Sequence, residues 1–194
     1  FATLMSERGG MDVSDVITVP DVTNQLAMII VDERDGERTI LWHRPPELET
    51  RPEELTAEKV ASGRILLMDG HDTAGAARAA DIAHENGVLV VLDAESVKEG
   101  TDEVVARTDV LLAAREFPRR FTGEPNLDIA FDLLREAGPR VAGMTLGSLG
   151  SLVMGADGSV VSSPAYDVDV VDTTGAGDTW HGAFLYGLLQ GWKA

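Results

Sequence analysis

The stretch of this sequence richest in chemical possibility is Val170-Val171-Asp172-Thr173-Thr174-Gly175-Ala176-Gly177-Asp178. Two glycines and an alanine around the expected start of a helix leave backbone N–H groups uncovered, with little side chain to obstruct an approaching anion. A helix's first turn offers unpaired donors and about half a positive charge. The stretch reads as a cradle for a phosphate or another oxyanion, just past the carboxyl end of a strand, where open parallel sheets bind ligands. Asp178 lies inside it. A carboxylate does not help to hold phosphate, because like charges repel. It makes sense as a base that takes the proton of a hydroxyl about to attack phosphorus. On these residues alone, Asp178 is equally compatible with a role limited to complementing the helix dipole.

Other groups speak less distinctly. Gly147-Ser148-Leu149-Gly150 reads as a tight turn into a hairpin. Glu116 follows a strand, where a water-mediated magnesium ligand could sit, but its spacing also suits a solvated helix residue. His43, His71, His84 and His181 show no metal-ligand spacing and read as surface or packing residues. Asp69, His71 and Asp72 gather at a strand end, where Asp72 doubles as a helix cap. There is no Gly-x-x-x-x-Gly-Lys-Ser/Thr, so a Walker-type phosphate loop is excluded.

The elements that must position these groups follow from hydrophobic periodicity. Thr23 to Val31 and Glu37 to His43 read as two strands joined through Asp35-Gly36, a strong hairpin signal. From Arg64 onward short apolar strands alternate with helices. Ile65 to Met68, Val88 to Leu92, Val110 to Leu112 and Val141 to Leu146 are the strands. An alanine-rich helix capped by Asp72 or Thr73 ends at Asn86-Gly87. Asn126 caps a second helix, whose Leu127, Ala130, Phe131, Leu134 and Ala137 share one face before Gly138-Pro139 ends it. Leu152 to Met154 and Val160 to Ser162 flank Asp157-Gly158 as another hairpin, and the last helix stacks Trp180, Phe184 and Leu188. Such alternation implies a mainly parallel sheet covered on both faces, with the early hairpin as a small separate layer.

Composition bounds the function. The 194 residues contain no cysteine, which excludes disulfides, thiolate metal sites and a cysteine nucleophile. Absence of disulfides points towards a cytoplasmic setting. Apolar runs such as Leu26 to Val31 are far too short to span a bilayer, and Phe1 to Gly10 lack the basic-then-apolar pattern of a signal peptide. The net charge of −17 repels nucleic-acid backbone and anionic lipid, so neither nucleic acid nor membrane is expected as a partner. The acidic surface serves solubility or adaptation to high salt. Any anionic substrate must then be held by local dipoles.

Asp172 to Asp178, followed by Gly182-Ala183-Phe184, resembles the carboxy-terminal signature of the ribokinase-like (PfkB) carbohydrate kinases. Met11-Asp12-Val13-Ser14 resembles the family's lead into its second lid hairpin, Asp35 to Ile40 that hairpin, and Thr145 to Gly150 its nucleotide-binding turn. The resemblance implies a three-layer α/β/α fold with a mainly parallel sheet and a small β lid. Residues 1-20 would lead into the lid, 21-44 would form its hairpin and 45-194 part of the nucleotide-binding core. It further implies an ATP-dependent kinase acting on a small sugar or sugar acid. Asp178 would be the catalytic base, and Gly175, Ala176 and Gly177, with the Asp178 amide, the anion hole. Thr145, Gly147 and Gly150 would line the ATP site. Asp172 and Thr174 match positions that hold a monovalent cation, K+, in ribokinase-type members. Glu116 would approach Mg2+ through water. Lids of this type often pair across a homodimer; Trp42, His43 and Arg44 would pack in the lid or touch substrate.

Two departures qualify the match. The family's Asn-x-x-Glu is replaced by Ala113-Ala114-Arg115-Glu116, which keeps the glutamate alone. This favours, by a little, a rival reading as a non-catalytic sugar- or nucleotide-binding relative. Against the family the chain also looks partial: the first strand–helix unit, with its sugar-gripping glycines and aspartate, and the end that closes the adenine pocket have no counterpart. Alone, these residues are expected to expose sheet edges and to be poorly stable.

Overall fold

A computed structural model describes residues 6–32, 34 and 38–192. The chain divides into two compact units, Phe1–Thr50 and Arg51–Ala194. In the first, β1 (Leu26–Val31) and β2 (Arg38–His43) form a two-stranded antiparallel sheet with Leu26 opposite His43 and Val31 opposite Arg38. Asp35, Gly36 and Glu37, the expected turn, lie outside the described residues. Every residue of β1 is exposed, so neither face of this ribbon is buried.

The second unit follows the expected alternation. A short α1 (Ala57–Val60) leads to β3 (Ile65–Met68), α2 (Thr73–Glu85), β4 (Leu89–Ala94), α3 (Thr101–Ala106), β5 (Val110–Ala114), α4 (Phe117–Thr122), α5 (Leu127–Glu136) and β6 (Val141–Thr145). Then come β7 (Ser151–Met154), β8 (Val160–Ser163) and α6 (Ala176–Leu189). The six strands lie in sequence order; β3 to β6 are parallel, and β7 and β8 extend the sheet antiparallel.

Two-residue periodicity splits the strand side chains between two cores. Val90, Leu92, Leu111 and Ala113 point into the larger one, with Ala80, Ala83, Phe117, Phe131 and Leu134 from the helices. Val91, Val110 and Leu112 point to the opposite face, against Trp180, Phe184, Leu185 and Leu188 of α6. Continuous apolar strands are what a sheet covered on both sides requires. In α2, buried Gly75, Ala77, Ala80 and Ala83 let the helix backbone approach closely. In α5, the Asn126 side chain accepts hydrogen bonds from the amides of Asp128 and Ile129 at 3.0 and 3.3 Å, and Ala130, Phe131 and Leu134 are buried as the spacing predicts. Such a cap contributes about 1 kcal/mol.

One expectation is corrected. Val170 and Val171 do not follow a strand: the described residues between β8 and α6 form none, and Val171 is 99% exposed. Apolar residues alone do not make a strand where no neighbour completes the ladder. Among the described residues, no helix is long and apolar enough to cross a membrane.

Candidate active site

The start of α6 is built by local chemistry. Oδ1 of Asp172 accepts from both the amide and the hydroxyl of Thr174 at 2.8 Å, folding the chain back on itself. Gly175 then takes a left-handed conformation, φ 75°, which a side chain would strain, and α6 begins. The Gly175 carbonyl accepts from the Thr179 amide at 2.9 Å and its hydroxyl at 2.8 Å. The Ala176 amide, expected to be open, donates to the Thr173 carbonyl at 3.1 Å. Those of Gly177 and Asp178 have no acceptor among the described residues, and a side chain at Gly177 would meet open space. Two forward-pointing donors at a helix start have the geometry that can take an anion.

Asp178, third residue of α6, is exposed beside these amides. One turn on, His181 is 7% exposed, with Nδ1 3.0 Å from Oδ2 of Asp93 in β4. Asp93 is the penultimate residue of that strand, so the pair joins α6 to the sheet's carboxyl edge. Ligand-type atoms of Asp93, Asp178 and His181 lie within 4.8 Å of one another. By number such a trio can hold a cation, but Asp93 favours the protonated form of His181, in which the ring has no lone pair to offer a metal. Asp93 raises the histidine's pKa above its ordinary value; burial opposes this, and the charges of Asp93, Asp178 and Glu95 reinforce it.

Trp180 locks the helix from the other side. Its ring stacks on Phe184 at 5.5 Å and meets His181 edge-on at 5.5 Å. Gly143 of β6 makes room for it: a side-chain carbon there would lie 2.9 Å from the indole and 3.0 Å from Leu112.

The remaining sequence-predicted residues lie along the same carboxyl edge. Glu116 immediately precedes α4, beyond β5, and pairs with Arg119 at 3.6 Å. Thr145 ends β6, and Gly147 and Gly150 enclose a one-turn 3-10 helix closed by hydrogen bonds from the Gly150 amide to Gly147 (3.0 Å) and from the Leu146 amide to Gly150 (2.8 Å). Asp172 and Thr174 are brought together with each other. Sequence reasoning did not single out Asp93, and it read His181 as a surface or packing residue without the contact to Asp93. The signals were present: a carboxylate closing an apolar strand, and a histidine three positions after Asp178.

Comparison with known proteins places this geometry among relatives. Residues 4–194 match the family described as pfkB family carbohydrate kinase. The chain is similar to an ATP-dependent ribose-1-phosphate kinase of Halopiger xanaduensis, at 30% identity over 96% of this chain and 60% of that protein. It is also similar to a nucleoside kinase of Methanothermobacter thermautotrophicus, at 25% identity over 95% of this chain and 60% of that protein. Among solved structures, adenosine kinase from Sinorhizobium meliloti superposes with a TM-score of 0.75 at 26% identity, over 87% of this chain and 55% of that one. The chain thus spans about three-fifths of the length of these curated relatives.

Proposed function

The chain belongs to the pfkB family of carbohydrate kinases, and from that premise we propose that the start of α6 is the transfer centre of an ATP-dependent kinase for a hydroxyl group of a small sugar or sugar acid. One observation carries the reading: an exposed carboxylate, Asp178, beside two amides that point outward with no acceptor among the described residues. A site that only binds phosphate gains nothing from that carboxylate, whereas a transfer site needs it. Asp178 takes the hydroxyl proton as the oxygen attacks the terminal phosphorus of ATP. The bond from that phosphorus to the bridging oxygen breaks, and ADP leaves. The amides of Gly177 and Asp178, behind the turn at Gly175, stabilise the charge spread over the transferring group. The Ala176 amide joins them on release from its 3.1 Å contact with Thr173.

Thr145, Gly147 and Gly150, at the end of β6, would line the nucleotide's path. The name of the ribose-1-phosphate kinase relative supports ATP as donor. Mg2+, when bound, offsets the phosphate charge. It keeps several waters and takes one or two carboxylates besides the phosphates, so Glu116 fits it through water. Asp172 and Thr174 offer the oxygen donors that K+ takes. The exposed ribbon β1–β2, with Leu26, Met28, Ile30 and Trp42 in solvent, supports its service as a lid and its pairing in a homodimer. Sedimentation at micromolar concentration would then give twice the monomer mass, and Met28→Asp would halve it.

The deciding experiment is ADP release by the full-length protein against a panel of sugars, sugar acids and nucleosides, with Asp178→Asn as control. Turnover is expected to fall about 10²–10⁴-fold with little change in ATP affinity. Unchanged turnover removes Asp178 from the mechanism. Nucleotide binding without ADP release from any acceptor establishes the rival non-catalytic reading, which Ala113 in the place of the asparagine favours.

A further inference from the structure

We propose that His181, buried against Asp93, is a positioning residue that fixes the first turn of α6 on the carboxyl end of β4 and so holds Asp178 in place. The proposal rests on the reading of Asp178 as the base that receives the hydroxyl proton.

Placement is the first argument. His181 is buried on a helix that otherwise meets the sheet through apolar groups, and its Nδ1 is 3.0 Å from Asp93 Oδ2. Both ring nitrogens of His181 and Oδ1 of Asp93 are buried without a well-aligned hydrogen bond among the described residues, so the 3.0 Å approach of Nδ1 to Oδ2 is a charge contact. A histidine serving only to pack would be replaced by a hydrocarbon without leaving buried polar atoms unpaired. This pair is kept where its ring comes within 4.8 Å of Asp178.

Charge is the second argument. The groups acting on the ring are Asp93 and Glu95, at and just beyond the end of β4, and Asp178 on α6 itself. All are acidic. With a neutral imidazole, three carboxylates would stand together at the place where the triphosphate must arrive, on a chain of net charge −17. A protonated His181 removes one unit of that repulsion. Burial of the ring works against its protonation, and Asp93, the largest influence, overrides it.

Geometry is the third. Asp178 and His181 are one helical turn apart on one face, while Trp180 between them is fixed against Phe184 and the sheet. Losing the Asp93 contact frees the end of α6 that carries both the base and the open amides, with no substrate-contacting group removed.

The test pairs two independent readouts on the full-length protein. In pH–rate profiles, wild-type kcat is expected to fall on the alkaline side as His181 loses its proton. His181→Asn can still donate to Asp93 but does not titrate. It should keep about a tenth of kcat at neutral pH, change the KM for ATP less than about threefold, and lose the alkaline limb. His181→Ala should fall roughly tenfold further, so that the asparagine counts as partial rescue. Nitrogen-15 NMR titration of wild-type His181, which needs neither turnover nor a variant that folds, should show a pKa above 6.5 that drops in Asp93→Asn. An unchanged alkaline limb in His181→Asn, or a ring already neutral at pH 6, overturns the proposal. Full activity of Asp178→Asn overturns the base reading instead, and leaves the NMR result standing as a separate fact.

Discussion

Replacing each glycine of the turn after β6 with alanine separates structure from nucleotide binding at two neighbouring positions. Gly150 has φ 95° and ψ −131°, a region open essentially to glycine alone. A side-chain carbon there would lie 1.9 Å from the Ser163 carbonyl oxygen, and 2.7 Å from both the Ala165 nitrogen and the Pro164 carbonyl carbon. All three atoms are backbone, so no rotamer can relieve the clash, and the segment after β8 must move by about 1 Å. The backbone conformation costs about 1–3 kcal/mol and the overpacking a further ~1–3 kcal/mol. Gly150→Ala should therefore lose roughly 2–6 kcal/mol of the ~5–15 kcal/mol that hold a typical domain. Gly147 has φ 62° with nothing within 4 Å, so Gly147→Ala should lose only about 1–2 kcal/mol. Its methyl group enters the path assigned to ATP, and the KM for ATP should rise about tenfold, ~1.4 kcal/mol of lost contact. Urea midpoints and steady-state kinetics on the two variants give all four numbers. A Gly150→Ala protein as stable as Gly147→Ala would refute the packing argument. A Gly147→Ala protein with unchanged KM would remove that turn from the nucleotide site.

The Asp93–His181 pair should make stability depend on pH. The folded-state pKa of His181 is raised, so its contribution is complete below about pH 6.5 and is lost as pH climbs through the folded value. The difference in urea midpoint between wild type and His181→Asn should shrink from pH 6 to pH 9, and a constant difference would contradict the pairing. Charge makes a second prediction. With a net charge of −17, molar KCl shortens the Debye length to about 3 Å and relieves self-repulsion. Each kcal/mol gained raises Tm by about 2–4 °C at this chain size, so a rise of at least that much is expected in a thermal scan. A falling Tm would show that the acidic surface is not the destabilising feature.

The strand–helix alternation from Ile65 to Thr145 was legible because each element obeys its own period and carries its own stop signals. Asn126 announces α5 as a cap, and Leu127, Ala130, Phe131 and Leu134 repeat at helical spacing. The glycine turn and helix start of α6 were legible for the same reason: glycine, alanine and aspartate act through local backbone geometry. Asp93 and His181 were not, because their contact joins residues far apart in the chain, and only the superposition of α6 on β4 reveals it. The close approach of Gly150 to Ser163 was hidden likewise; in the sequence it is only a turn glycine. The strand expected to end just before Val170 is absent among the described residues, since a strand needs a partner as well as a pattern. The opening of the Ala176 amide was overestimated because Thr173 supplies an acceptor within the same turn.

The ribbon β1–β2 has an energetic consequence. Two strands without a buried face are at best marginally stable by themselves, and all six residues of β1 lie in solvent. On the proposed reading of the ribbon as a lid, its ordering entropy is met by the substrate or second copy that covers it. Measured affinities for that ligand or partner will understate the contacts made, and a substitution that stiffens the ribbon will tighten association without adding a single new contact.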